Sequence, residues 1–264
     1  MLAAQYDVTV CATASAARSA MAQGRPDLLL VNLGDPTGEL STLSRHLRDT
    51  TGGETVAIIA VGVPDTARAR FAALDAGADE VIVHPMDAAY LMARVRGLLL
   101  SRSALQTGAM LQSTQRRLGF EDRRGGFAVP PQLLVISDGD GRMFEPLETL
   151  QGQYRIATRS CGQIIGDGRP RIPNQARVAL IDGRGWSSDQ ANRLLQSVHG
   201  AAPYHSAAAI VIWDRHKSHE WAELIAAGAG QVWPEDVSSE EVRLRLLRSS
   251  GFAQTPEVSS RLTA

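Results

Sequence analysis

The sequence predicts an α/β fold built twice in tandem, each copy a mostly parallel sheet between two layers of helices. Three observations carry this. Short apolar runs alternate with amphipathic stretches through both halves, the order that βαβ units produce. Several runs, such as Asp27–Asn32 within PDLLLVN and Ala207–Trp213, are nearly continuously apolar, as strands covered on both faces are. Finally, LDAGADEVIV in the first half matches IAAGAGQVWP in the second, and VAIIAVG matches AAIVIWD. This repeat has a period of about 150 residues and covers a whole domain, so it indicates tandem domains and not a solenoid.

In the first half the expected order is a strand at Val8–Ala12 and a helix at Ala14–Gln23, with Thr13 or Ser15 near its start. A buried strand at Asp27–Asn32 and a helix at Ser41–Leu47 follow, then a strand at Val56–Val61. The helix Asp65–Asp75 is stopped by Gly77, and the strand Glu80–Val83 precedes Pro85. From Asp87 to about Leu118 the pattern is helical, and roughly thirty such residues would span about 45 Å. Gly97 and Gly108 each weaken that helix by about 1 kcal/mol relative to alanine. GFEDRRGGFAVPP, residues 119–131, reads as a linker.

The pattern then restarts with strands at Leu133–Ser137, Tyr154–Thr158, Ala176–Ile181, Ala207–Trp213 and Gln231–Trp233. Helices are expected at Phe144–Leu150, Ser188–Val198, His219–Ala227 and Glu240–Leu247. The expected domains are therefore 1–118, with its extended helix, and 132–250, followed by a disordered tail at 251–264.

Charge and composition exclude several classes. The net charge is −1, from 27 basic and 28 acidic side chains, so no broad field draws nucleic acid or anionic lipid. No run approaches the roughly 20 apolar residues of a membrane span, and the N-terminus lacks the pattern of a secretory signal. Cys11 and Cys161 show neither a disulfide framework nor metal spacing. A cytoplasmic setting is expected.

PDLLLVN, VAIIAVG, AGADEVIVHP and YLMARVRGLL resemble the receiver domains of two-component response regulators, whose fold is flavodoxin-like (CheY-like). The tandem order, and RVRGLLLSRSALQ leaving the first copy, resemble PleD-type regulators, which place two receivers ahead of a diguanylate cyclase. The resemblance implies phosphoryl transfer from a histidine kinase to an aspartate at the end of the third strand. An acidic pair after the first strand would help to hold Mg²⁺. A hydroxyl and a lysine, after the fourth and fifth strands, would contact the phosphoryl group.

The first half departs from that pattern at each position. Asn32 stands where the acceptor should be, Gly62 where the hydroxyl should be, and His84 where the lysine should be. The acidic pair and the first strand, central in the receiver sheet, have no counterpart before Val8. An upstream segment, direct pairing of the flanking strands, or another chain could close that gap. The second half retains more. Asp182 occupies the acceptor position, Asp138 matches one member of the acidic pair and Ser137 the other, and Asp140 could add a carboxylate. Asp138, Asp140 and Asp182 form a candidate weak magnesium site, with no other cofactor expected. The hydroxyl position falls on Trp213 or Asp214, and the lysine position near Trp233 or Glu235.

Trp213 and Trp233 could fill the phosphorylation pocket or belong to the ordinary core, or they could anchor a partner. Arg68, Arg70, Arg94 and Arg96 alternate with apolar residues on the helices by which receivers pair, as a dimer rim or a solvated face would. His216 and His219 read as a surface helix start, GQIIGDGRP (162–170) as a loop, and Arg116, Arg117, Arg123 and Arg124 as part of a solvated linker. The expected function is that of a non-catalytic tandem pseudo-receiver: a dimerisation or protein-interaction module in two-component or cyclic-di-GMP-related signalling. Its expected partners are a second copy, a histidine kinase or another response regulator, with neither nucleic acid nor membrane. The alternative is the input portion of a diguanylate cyclase response regulator, controlled at Asp182. No GGDEF-like signature occurs in the sequence.

Overall fold

The computed structural model describes residues 2–32, 38–50, 56–85, 87–99, 132–138, 145–148, 150, 154–166, 176–200 and 208–248. The chain divides into two compact units, Met1–Ala109 and Met110–Ala264. The expected helix beyond residue 99, the linker 119–131 and the tail 251–264 lie outside the described residues, as does Asp140.

The second unit is a three-layer α/β domain. Its strands are β4 (Gln132–Ile136), β5 (Arg155–Arg159), β6 (Ala176–Asp182), β7 (Ala208–Trp213) and β8 (Gln231–Pro234), all parallel in the order β5-β4-β6-β7-β8. Successive side chains point to opposite faces. Leu134, Ile136, Ala179, Ile181, Val211 and Trp213 therefore face α6 (Cys161–Gly166), α7 (Ser188–Gly200) and α8 (Trp221–Ala226). Leu133, Val135, Leu180, Ile210, Ile212 and Trp233 face α5 (Glu145–Glu148) and α9 (Ser239–Arg248). This is the topology expected of a receiver.

The first unit carries three parallel strands in the order β1-β2-β3: β1 (Leu28–Asn32), β2 (Ala57–Val63) and β3 (Glu80–Val83). Its helices are α1 (Ala14–Gln23), α2 (Gly38–Arg48), α3 (Ala67–Asp75) and α4 (88–99). Here one expectation fails. Residues 7–11 form no strand, and Val8 and Val10 are 40% and 87% exposed. The second unit shows why. The segment 7–11 and α1 precede β1 as β5 and α6 precede β6, and β5 pairs only with β4. Without a counterpart of β4 among the described residues, the first segment has no ladder to join. The flanking strands do not close the gap by pairing directly. In consequence β1 keeps Leu28, Leu29 and Leu30 only half-buried, whereas Val178–Asp182 of β6 are buried throughout. Likewise α1 buries no residue, while α6 buries Cys161 and Ile164.

The repeated AGA motif has a structural cause in both copies. Gly77 and Gly228 adopt φ of +115° and +113°, a region costly for residues with a Cβ. Each terminates a helix in a Schellman motif: Ala78 N–H donates to Ala73 and Gly77 N–H to Leu74, as Ala229 does to Leu224 and Gly228 to Ile225. Asp79 then accepts from the Ile58 amide (2.9 Å) and from Arg48 (3.1 Å), tying the start of β3 to β2.

Candidate functional site

In a parallel α/β sheet, chemistry collects where strands end and loops begin. β6 ends in Asp182, which is only 8% exposed. Beside it β4 ends at Ile136, in register with Ile181, and the next two residues are Ser137 and Asp138. Ser137, Asp138, Asp182, Arg184 and Trp186 line a shallow open cleft of about 200 Å³. The fold thus brings together Asp138 and Asp182, residues 44 apart in sequence.

Both oxygens of Asp182 are engaged. The Arg184 Nε donates to Oδ1 at 2.7 Å and its Nη2 donates to Oδ2 at 2.7 Å, a two-pronged charge-assisted pair. The Arg184 backbone N–H also approaches Oδ1 (3.4 Å), and the Ser137 hydroxyl lies 3.5 Å from Oδ2. The hydrogen bond to Asp182 leads the causes that raise the guanidinium's pKa above its ordinary value, with the charges of Asp182 and Glu235 adding to it. Asp138 is engaged through one oxygen: its Oδ1 accepts the Cys161 N–H at 2.6 Å, at the start of α6. That helix corrects the expected loop at 162–166. Ser160 and Gln163 cap it reciprocally (3.3 and 3.0 Å), and Cys161 and Ile164 supply its buried stripe.

Mg²⁺ demands near-octahedral oxygen ligands with free lone pairs. With Arg184 across both oxygens of Asp182, Cys161 on Asp138 and a neutral serine at 137, the described residues do not fit a resident ion as they stand. Among the described residues no group of three His, Cys, Asp or Glu converges on a point. His216 is exposed, and the His219 side chain, 75% exposed, lies 3.9 Å from Glu220.

Of the two readings of the tryptophans, the core one holds and the exposed anchor does not. Trp213 and Trp233 are both 0% exposed, on opposite faces of the sheet. Each indole N–H finds an acceptor, Glu220 (3.0 Å) for Trp213 and Gln231 (2.7 Å) for Trp233, as buried indoles require. Trp213 lies against Gly183, the residue after Asp182, where an added Cβ would stand 2.7 Å from its ring. Lys217 sits above that ring (5.7 Å) and donates to the Trp186 carbonyl (3.3 Å). Sequence reasoning missed Arg184 and Lys217. Arg184 was findable as a cation two residues beyond the acceptor position. Lys217, in the 3-10 turn Arg215–Glu220 after β7, carried no signal of its role.

In the first domain, Asn32, Gly62 and His84 fall at the C-terminal ends of β1, β2 and β3. Asn32 pairs with Val61, and Gly62, at φ +75°, makes the bulge between Val61 and Val63. Asn32 and His84 are exposed. The row therefore has the expected positions but no acceptor carboxylate. Two of the expected surface arginines are interior instead. Arg94 is 1% exposed and paired with Glu80, and Arg70 is 2% exposed and bonded to Asp65 (3.0 Å). Only Arg68 and Arg96 of that set are on the surface. Residues two apart on a helix lie on different sides, so one member of each pair turns to the interior and the other to the surface.

These features define two tandem α/β domains of receiver topology. The chain is 33% identical over 94 residues to the response regulator MprA of Mycobacterium leprae (strain TN), a match covering 36% of this chain and 40% of that protein. The matched stretch thus spans less than half the length of this curated relative. Among solved structures, one described as a two-component system response regulator/GGDEF domain protein is 16% identical, with a TM-score of 0.39, covering 92% of this chain and 86% of that one. NtrX from Brucella abortus, solved with ATP, is 12% identical at a TM-score of 0.35, covering 86% of this chain and 60% of that one. No protein-family model matches. The resemblance to response regulators is distant in structure and weak in sequence. No helix among the described residues is long and apolar enough to cross a membrane.

Proposed function

We propose that the chain is the regulatory receiver portion of a response-regulator protein, with its input at Asp182 of the second domain and a first domain that works by contact alone. One observation carries this reading: the strand order sets Asp182 at the end of the central β6, beside Ser137 and Asp138 that follow β4. The first domain offers Asn32 at the equivalent strand end, and an amide is a far weaker nucleophile than a carboxylate. The Asp182–Arg184 pair is then the element a signal must change. A phosphoryl group on Asp182 would replace its fixed charge with a larger anion and re-aim the guanidinium, which binds phosphate oxygens as readily as carboxylate. The output would be a surface change passed to a protein partner, another regulator domain or a second copy.

A second reading is a pseudo-receiver that never takes a phosphoryl group. It is favoured by the same clamp, and by Trp213 and Trp233 standing in the core near the expected hydroxyl and lysine positions. One experiment separates them: incubation of the full chain with acetyl phosphate, with and without a divalent cation, followed by intact mass. Phosphoryl uptake that vanishes in Asp182→Asn supports the input reading. No uptake under any condition supports the pseudo-receiver.

A further inference from the structure

We propose that Arg184 is a cation built into the chain at the acidic corner of the second domain, and that it excludes divalent metal from Asp182. This inference holds whether or not Asp182 accepts a phosphoryl group. Two carboxylates, Asp138 and Asp182, follow neighbouring parallel strands at the rim of one cleft. Such a pair repels itself unless a positive charge sits between or beside it. Here the charge comes from a side chain two residues along, which needs no uptake from solution. The guanidinium spans both oxygens of Asp182 at 2.7 Å each, the fork geometry that suits Arg and not Lys. A metal ion would need those same lone pairs. The Asp182 side chain is 8% exposed while that of Arg184 is 42% exposed, so the clamp closes the carboxylate from the solvent side, the route by which an ion would arrive. Ser137, 3.5 Å from Oδ2, adds a hydroxyl but no charge.

The consequence is a competition. Taking away the guanidinium should expose an oxygen-lined corner of two carboxylates and one hydroxyl, a donor set suited to Mg²⁺ or Mn²⁺. The test is a Mn²⁺ titration of the full chain followed by the EPR signal of free Mn²⁺, with Mg²⁺ as competitor. It compares the unaltered protein, Arg184→Gln, Arg184→Lys and Arg184→Gln/Asp182→Asn, with near-ultraviolet circular dichroism confirming an intact tryptophan environment in each. A pair whose arginine side is open to solvent is worth up to about a fivefold change in affinity. We therefore expect Arg184→Gln to bind Mn²⁺ roughly fivefold more tightly than the unaltered protein, Arg184→Lys to fall between, and the added Asp182→Asn to abolish the gain. Equal binding by the unaltered protein and Arg184→Gln, or a gain that survives Asp182→Asn, overturns the proposal. The readout is metal binding, so its failure is scored separately from phosphoryl uptake, which is read by mass.

Discussion

Glu80, at the start of β3, and Arg94, in α4, meet inside the first domain with each side chain only 1% exposed. Ion pairs taken out of water are expensive to form and more expensive to break, because the orphaned partner stays buried with its charge. We expect Glu80→Gln to destabilise the protein by about 3–5 kcal/mol, and Glu80→Met with Arg94→Met to recover most of that loss. Urea denaturation of the two variants checks this. A double variant no more stable than the single one would show that the pair itself supports the fold.

Gly183 and Trp213 are matched by shape. Any Cβ at 183 would stand 2.7 Å from the indole, and the Ile212 carbonyl lies 3.2 Å away on the same side. Gly183→Ala should therefore destabilise by about 1–3 kcal/mol through overpacking. The loss should be partly relieved when Trp213 is also shortened to leucine, so the two changes will not add. Thermal unfolding of the single and double variants measures the coupling.

Tyr154 is 4% exposed, and burial raises its phenol pKa above the ordinary value while the nearby charge of Arg243 partly opposes the rise. A raised folded-state value means that the unfolded chain ionises first. The stability this group contributes is present below the ordinary tyrosine pKa, near 10, and is lost as pH climbs through the higher folded value. Titration of tyrosinate absorbance should show Tyr154 ionising late, with the start of unfolding. Tyr154→Phe should remove that late step.

β1 pairs with β2, and among the described residues no strand lies on its other edge. Unpaired strand amides exchange readily, whereas amides of a central strand exchange only through large openings. Hydrogen exchange should find the outward amides of Leu28–Asn32 faster by orders of magnitude than those of Ala179–Ile181 in β6. Equal protection of the two strands would mean that a further strand covers this edge.

Most of this architecture was legible in the residues. Ala14–Gln23 and Glu80–Val83 have the bounds their patterns imply, and the central strands differ by a residue or two. Continuous apolar runs, caps such as Thr13, and stop signals at Gly77 and Gly228 act over a few residues, which is why they can be read locally. Candidate positions at strand ends, among them Asp182 and Asn32, were legible for the same reason. Val8–Ala12 misled because its alternation is that of a strand, while a strand exists only where a neighbour accepts its hydrogen bonds. Arg70 and Arg94 misled because period gives the face of an element but not what another element lays over it.

The sequence by itself determined two α/β domains, their element order and the absence of an acceptor carboxylate at the end of β1, since those depend on residue identity and short-range pattern. Tertiary packing was needed to show that Arg184 lies across Asp182, that Glu80 holds Arg94 in the interior and that, among the described residues, β1 stands at an edge. Each is a matter of which groups meet in space and exclude water, and chain order alone does not fix that.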